Sequence, residues 1–469
     1  MNRSTNTGSA VSSASSAAQP VHWVVYGNNP AARYCQLYLV QQLPRERICV
    51  SLVAPGGKVS GAGFLFGDSA MEHCEIGIDP RDLLQSNTAD ILLALRIQSE
   101  ANPQAGHWLA SGGYGFMHQG QPFFHWWQRS RTLFDASEFN LVCRAAEAGR
   151  YGDIPTNAPE VYRSLERGLQ FSYRDYCDHL DLAAQSRKLP VYRQQATLSP
   201  VDEHRFDLQL ADGTRMQAGF IIDCDGALLA ESALHNGQGG RSLPLPASRM
   251  TQTLSGCRKR LTAAHCTIGR DGWQLNLRGL RLDHKVIPAE YLRSYPHAWA
   301  GNLIGLGAAL NIGGLAVDSL AQTQYQLRQL LPLMPLQTED GCLRAAFNRQ
   351  VATYNREVTD LHSLCHWLAG HTRRLSPGAR AQLALFRASG STLQTDIPLI
   401  SAETRLLLPT LAGFWPRPGT IPTTGGDSDY NRWVRKLSAD YRQAATTLPE
   451  YHCYLQSLCT SSSREKLCE

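Results

Sequence analysis

Apolar residues up to about residue 330 fall in short runs bounded by glycine, proline and polar residues, and beyond that point they fall at helical spacing. The run Trp23-Val24-Val25 passes through Gly27 into a helically spaced segment, predicting a strand, a tight turn and a helix. Asn29-Pro30 marks the helix start, because Asn is a favoured N-cap and Pro suits the first helical position. Arg47 to Ala54 predicts a second buried strand, Pro80 to Ser86 a helix, and Ile91 to Ile97 one continuous buried strand. The middle of Leu169 to Arg193 has helical spacing. Thr197 to Leu210 and Thr214 to Ile222 alternate as antiparallel strands joined by Asp212-Gly213, and Phe220-Ile221-Ile222 runs into an acidic glycine turn, Asp223 to Gly226. Thr262 to Leu277 is strand-rich, and Asn302 to Leu320 reads as strand, glycine turn and helix start. Ala321 to Leu333, Leu343 to Trp367, Pro377 to Arg387 and Asp429 to Thr447 are helical, and no internal repeat is evident.

A strand, turn and helix followed by a second strand is the opening of a dinucleotide-binding unit, whose turn is normally G-x-G-x-x-G. Those glycines make the turn and let the helix N-terminus face a pyrophosphate. Here the register gives Gly27, Asn29 and Ala32. An Asn side chain takes the free N–H groups and crowds the pyrophosphate, while Pro30 removes a donor. The carboxylate that ordinarily binds ribose at the end of the second strand is replaced by Ala54-Pro55. Candidate nucleotide contacts in this turn and in the turn from Asp223 to Gly226 are Gly27, Asn29, Asp223 and Gly226.

Composition narrows the function. With 18% charged residues and a net charge of +5 over 469 residues, neither nucleic acid nor an anionic membrane is an expected partner. Cys257-Arg258-Lys259-Arg260 reads as solvated surface. Residues 1–20 are rich in Ser, Ala and Thr without an apolar export segment, and no stretch reaches membrane-spanning length. A cytoplasmic protein with reduced thiols is expected, despite 13 cysteines. The glycine-rich loop from Gly56 to Gly67 lacks a Walker pattern and reads as a turn region. His362, Cys365 and His366 share a helix face, but no Cys-x-x-Cys pair or carboxylate stands at metal spacing, so no metal is expected. Gly112 to Trp127 is dense in aromatics, suiting either an aromatic-substrate pocket or a core. Neither a G-x-S-x-G elbow nor a Walker sequence supports a hydrolase.

Several motifs gain meaning from their order: Ile76-Gly77-Ile78-Asp79, Phe123-Phe124-His125-Trp126, Phe171-Ser172-Tyr173-Arg174-Asp175-Tyr176, Ile222-Asp223-Cys224-Asp225-Gly226, Phe347-Asn348-Arg349 with Glu357 and Asp360, and Leu448-Pro449-Glu450-Tyr451-His452. In that order they resemble the flavin-dependent tryptophan halogenase family from about Val21 to Cys459. The resemblance implies an α/β, Rossmann-like FAD/NAD(P)-binding fold with an inserted strand-rich substrate region and a helical C-terminal part. The expected divisions are a disordered tail over 1–20, the flavin-binding-like domain with the interleaved substrate region over 21–330, and a helical region over 331–469.

The resemblance also implies FAD, with further contacts at Gly305, Gly307 and Ala308 through backbone donors that do not depend on side-chain identity, and a Lys and a Glu that direct a hypohalous oxidant onto an aromatic carbon. Alignment on Arg96 puts Leu92 at the Lys, and laying Gly305 to Ala309 on the family's GLAAG-type turn puts Leu315 at the Glu, beside Ala316 and Val317. The W-x-W-x-I-P motif is reduced to Trp273, Leu275 and Leu277, and Gly63-Phe64-Leu65-Phe66 replaces Gly-Glu-Ala-Thr. Leucine neither hydrogen-bonds nor transfers protons. The expected function is a divergent family member without halogenase activity, acting as a binding or regulatory partner of an active homologue or as a homo-oligomer. The enzyme alternative is an FAD-dependent oxidase or monooxygenase of an aromatic small molecule.

Overall fold

Trp23, Val24 and Val25 lie buried in the centre of a parallel sheet, where a continuous apolar run can be covered on both faces. The computed structural model describes residues 20–465 except 101, 111, 155–156, 203–204, 236–240, 255–261, 296, 311–317, 335–340, 394–398 and 418–427. Residues 1–19 of the expected tail (1–20), the Cys257–Arg260 cluster and Leu315 to Val317 thus lie outside the described residues.

In chain order the first half comprises β1 (Val21–Tyr26), α1 (Pro30–Gln42), β2 (Ile48–Val53), β3 (Ala62–Leu65), α2 (Asp68–Met71), α3 (Pro80–Gln85), β4 (Ala89–Leu92), β5 (Ala94–Ser99), β6 (Asn102–Ala110), α4 (Phe123–Ser130) and α5 (Leu141–Ala148). There follow β7 (Gly168–Ser172), α6 (Tyr173–Ser186), β8 (Val191–Tyr192), β9 (Ala196–Pro200), β10 (Phe206–Leu210), β11 (Arg215–Met216), β12 (Phe220–Asp223) and α7 (Ala227–His235). The strands β13 (Arg241–Leu254), β14 (Ala263–Gly269), β15 (Gly272–Leu277), β16 (Leu280–Ser294), β17 (Trp299–Ala300) and β18 (Leu303–Gly305) precede the helices. These are α8 (Ser319–Leu330), α9 (Gly341–Leu368), α10 (Pro377–Ser389), α11 (Ala402–Leu411), α12 (Ser428–Thr447) and α13 (Tyr451–Glu465). None of the described helices is long and apolar enough to cross a membrane.

The main sheet has the order β17-β18-β12-β1-β2-β8 and is parallel except for β17. From β1 the chain steps to β2 on one side and to β12 on the other, with Val25 opposite both Leu52 and Ile222. This reversal is where doubly wound folds place their ligands. A second six-stranded sheet, β13-β16-β15-β14-β5-β6, forms the strand-rich region, and two smaller sheets, β3-β7-β4 and β11-β10-β9, complete the set.

Three expected strands are divided, Thr197 to Leu210 into the antiparallel pair β9 and β10. The apolar run from Ile91 to Ile97 breaks at Leu93, whose N–H donates to the Thr262 carbonyl. β4 then pairs with β7, while β5 joins β6 and β14. Ile91 to Leu95 are buried on both sides of the break, so periodicity could not reveal it. Thr214 to Ile222 divides likewise into β11 and β12, with Asn302 Nδ2 holding the Ala218 carbonyl between them at 3.2 Å.

Long-range hydrogen bonds tie the last helices to the first half. The Tyr451 hydroxyl accepts from Ile91 N (2.9 Å) and donates to Asp90 Oδ1 (3.2 Å). Gln85 donates to the Leu458 carbonyl at 3.0 Å. The Arg278 guanidinium, at the turn between β15 and β16, meets Asp90 Oδ2 at 3.1 Å.

Candidate functional site

The turn after β1 is built for close approach. Gly27 has φ +144°, and a Cβ there would meet Ala32 Cβ at 3.2 Å and Cys224 Cβ at 3.4 Å. The Asn29 side chain fills the helix N-terminus. Its Oδ1 accepts from Ala32 N at 2.9 Å, while its Nδ2 donates to the Cys224 carbonyl at 2.9 Å, bridging the ends of β1 and β12. One turn on, buried Arg33 reaches Asp181 at 2.9 Å and Asn28 Oδ1 at 3.1 Å.

Asp223 is wholly buried at the end of β12. Its Oδ1 accepts from Asp225 N (3.0 Å) and Gly226 N (2.8 Å), and its Oδ2 from Leu229 N (2.8 Å), so the carboxylate serves the start of α7. Burial, with the neighbouring Asp225 charge, raises its pKa. Gly226, at φ +94°, lies against Ala309, whose Cα would be 3.1 Å from an added Cβ. Gly305 N donates to the Ala298 carbonyl, Leu306 N to the Asp223 carbonyl, and Gly307 N to Gln326 Oε1 at 2.7 Å. The fold thus gathers the candidate residues, with Ala308 in the short 3-10 turn Gly307–Leu310, at the carboxyl ends of β1, β12 and β18. The N–H groups of Gly226, Gly305 and Gly307 are nonetheless spent within the chain. Buried Gln326 left no signal in the sequence, since glutamine is common on helices.

Asp318 is a second residue that pattern reading missed, although an Asp before an apolar helix is a recognisable cap. Its Oδ1 accepts from Leu320 N at the start of α8, and its Oδ2 from the Tyr173 hydroxyl, both at 2.8 Å. A Cβ on Gly63 would stand 2.5 Å from Asp318 Oδ2, so β3 approaches this carboxyl only through glycine. Burial pushes the Asp318 pKa up to about 6.

Leu92 is 0% exposed and packs in an apolar cluster with Ala62 and Phe64 of β3 and with Trp273. Lys58 lies elsewhere, on a cavity over the end of β2 together with Arg33 and Arg174. The aromatic segment divides its labour. Phe123, Phe124 and Trp126 are core, whereas Tyr114 and Trp127 line a cavity of about 380 Å³ with Trp108, Trp415 and Arg131. The Arg131 guanidinium stands 3.8 Å from the Trp415 ring centroid. His366 turns to His371, with Nδ1 atoms 3.2 Å apart beside Trp273. Among the described residues no group of His, Cys, Asp and Glu is arranged to hold a metal ion.

Known proteins match this architecture. Residues 69–277 match the tryptophan halogenase family model. A flavin-dependent halogenase from Brevundimonas sp. BAL3 has 18% identity and a TM-score of 0.79, over 93% of this chain and 99% of its own. One from Xanthomonas campestris has 17% identity and a TM-score of 0.80, over 94% and 99%. A tryptophan 6-halogenase from Streptomyces toxytricini has 15% identity and a TM-score of 0.76, over 93% and 99%. No curated protein matches. Residues 69–277 thus carry the sequence pattern of the tryptophan halogenase family, on a fold shared with solved flavin-dependent halogenases over nearly the whole chain.

Proposed function

We propose that this chain does not halogenate tryptophan and acts as a binding or regulatory partner of an active homologue. The carrying observation is Leu92, at the position that the resemblance gives to the family's Lys, sealed at 0% exposure in the apolar cluster that also holds Phe64 and Trp273. A halogenating site needs a group that holds and polarises the oxidant. An alkyl side chain in an apolar cluster supplies neither charge nor proton.

FAD is the cofactor expected from the flavin-dependent relatives. The first turn does not fit a pyrophosphate as it stands, because Asn29 already occupies Ala32 N and reaches across to Cys224. The N–H groups of Gly226 and Gly307 serve Asp223 and Gln326 instead. FAD would have to displace these bonds, so it is held weakly. The enzyme reading, an FAD-dependent oxidase or monooxygenase, draws its support from the cavity of Trp108, Trp127 and Trp415, whose walls suit an aromatic molecule.

The test supplies FAD, a flavin reductase, oxygen, halide and tryptophan to the purified protein, alone and mixed with an active halogenase. Alone it is expected to give no halogenated product, and in the mixture to alter the homologue's rate. Enzyme-dependent product lost on Lys58→Ala would refute the reading and make Lys58 catalytic.

A further inference from the structure

Histidine is followed directly by cysteine at His73-Cys74, His265-Cys266 and His452-Cys453, and the fold gives each of these pairs a different geometry. Along β14 neighbouring side chains point to opposite faces, and Cys266 is fully buried. Cys74 is exposed, but His73 turns inward, with Nδ1 2.9 Å from the Ala70 carbonyl and Nε2 2.7 Å from the Tyr176 hydroxyl. Of these three pairs, the last alone brings the imidazole onto its neighbouring thiol.

That pair opens α13. Tyr451 and Tyr454, three positions apart, are buried, so His452 and Cys453 fall on the outer side of the first turn. The backbone beneath them is pinned. Tyr451 N donates to the Gly149 carbonyl and Tyr454 N to the Glu450 carbonyl, both at 3.1 Å, and Glu450 forms a β-bridge with Arg150. His452 Nε2 lies 3.3 Å from Cys453 Sγ, and its Nδ1 lies 3.3 Å from Glu450 Oε2. The carboxylate assigns the ring hydrogen to Nδ1, which leaves Nε2 to accept from the thiol. A nucleophile, a base within reach of its proton and a third group orienting the base make the arrangement that activates a thiol. All three side chains are exposed, so a reagent reaches the sulfur without any opening of the fold.

We propose that Cys453 is a disulfide-exchange site for low-molecular-weight disulfides, with His452 as its base and Glu450 as the positioning residue. The Sγ–H proton passes to His452 Nε2 as Sγ attacks one sulfur of the reagent. The reagent's S–S bond breaks, a mixed disulfide forms on Cys453, and the departing thiolate takes the proton back from the imidazolium. The protein thiol is oxidised, half of the reagent is reduced to free thiol, and an excess of small thiol reverses the exchange. Neither Leu92 nor the first turn takes part, so the inference stands or falls apart from halogenation.

Oxidised glutathione added to the full chain at neutral pH, with each cysteine followed by peptide mass spectrometry, tests it. Cys74, exposed beside a histidine that faces away, is the control inside the same molecule. Cys453 is expected to form the mixed disulfide about tenfold faster than Cys74, and His452→Gln to bring it down to the Cys74 rate. Glu450→Gln should slow Cys453 by about threefold, with Glu450→Asp recovering most of the rate and Cys74 unaffected in every variant. Tm should not move, because the substituted side chains are exposed. Cys453 reacting no faster than Cys74, or keeping its lead in His452→Gln, would overturn the site. A Glu450→Gln rate equal to that of the wild type would strike Glu450 from it.

Discussion

Asn29 shows how one side chain can decide what a turn is for. It caps α1 and clamps β12 in the same motion, with 2.9 Å contacts on both sides. Asn29→Ala is expected to cost about 1 kcal/mol for the cap, and more if the Cys224 carbonyl is left dry. Urea denaturation measures it, and an unchanged midpoint would mean that the cap contributes nothing. Replacing Asn29 and Ala32 together by Gly opens the turn at a similar cost in stability. FAD affinity, followed by quenching of flavin fluorescence, should then rise. No gain in a folded double variant would argue against obstruction as the reason for weak binding. The Asn29 cap was legible in the sequence because Asn-Pro is a local signal. The roles of Asp223 and Gln326 were not, since each depends on a backbone N–H brought in by folding.

Elements meet at Arg278, in the turn between β15 and β16, with φ +45°. Its guanidinium reaches Asp90 Oδ2 at 3.1 Å and the carbonyls of Asn87 and Thr88, so the strand-rich region is riveted to β4 by one cation. Asp90 is 1% exposed, and Arg278→Ala should destabilise by about 3–5 kcal/mol, as losing a buried partner does. A loss below 1 kcal/mol in chemical denaturation would show the rivet to be ornamental. Leu92→Lys, on β4 two residues beyond Asp90, is expected to lower stability by several kcal/mol without producing halogenated tryptophan, because an amine is inserted among apolar side chains. Helices α8, α9, α10 and α12 and strands β1 and β2 could be read from spacing alone, whereas α11 and α13 could not. The split at Leu93 could not, since apolar residues continue across it and a carbonyl from Thr262 makes the break.

Across the whole molecule, α9 meets the strand-rich region through a cage of rings. Trp273 stacks on His284 at 4.7 Å and on His371 at 5.8 Å, with His366 at its edge. His371 Nε2 faces the Gly269 and Gly272 carbonyls, so it carries the hydrogen and leaves Nδ1 to accept from His366. Burial lowers His284 to about 4 and, with the charges of His362 and His371 adding to it, His366 to about 3. Both values lie below the unfolded value of about 6.5, so the folded state resists protonation. Stability is full above that pH and falls as pH drops from 6.5 toward 4. A loss on the order of 2 kcal/mol between pH 7 and pH 5 is expected in urea titrations, and His284→Gln should flatten the slope. A wild-type slope no steeper than the variant's would contradict this.

The bonds from Tyr451 to Asp90 and Ile91 set an order on synthesis. The hydroxyl and the Ile91 amide are 360 positions apart in the chain. At translation speeds of about 5–20 residues per second, β4 waits roughly 20 to 70 s for the side chain that closes over it. During that interval the nascent protein exposes a buried-type strand edge, which is the kind of surface that chaperones shield and that aggregates recruit. A chain released before Tyr451 remains in that waiting state. Its expected signature is rapid digestion by a trace of protease at a concentration that the full-length protein withstands.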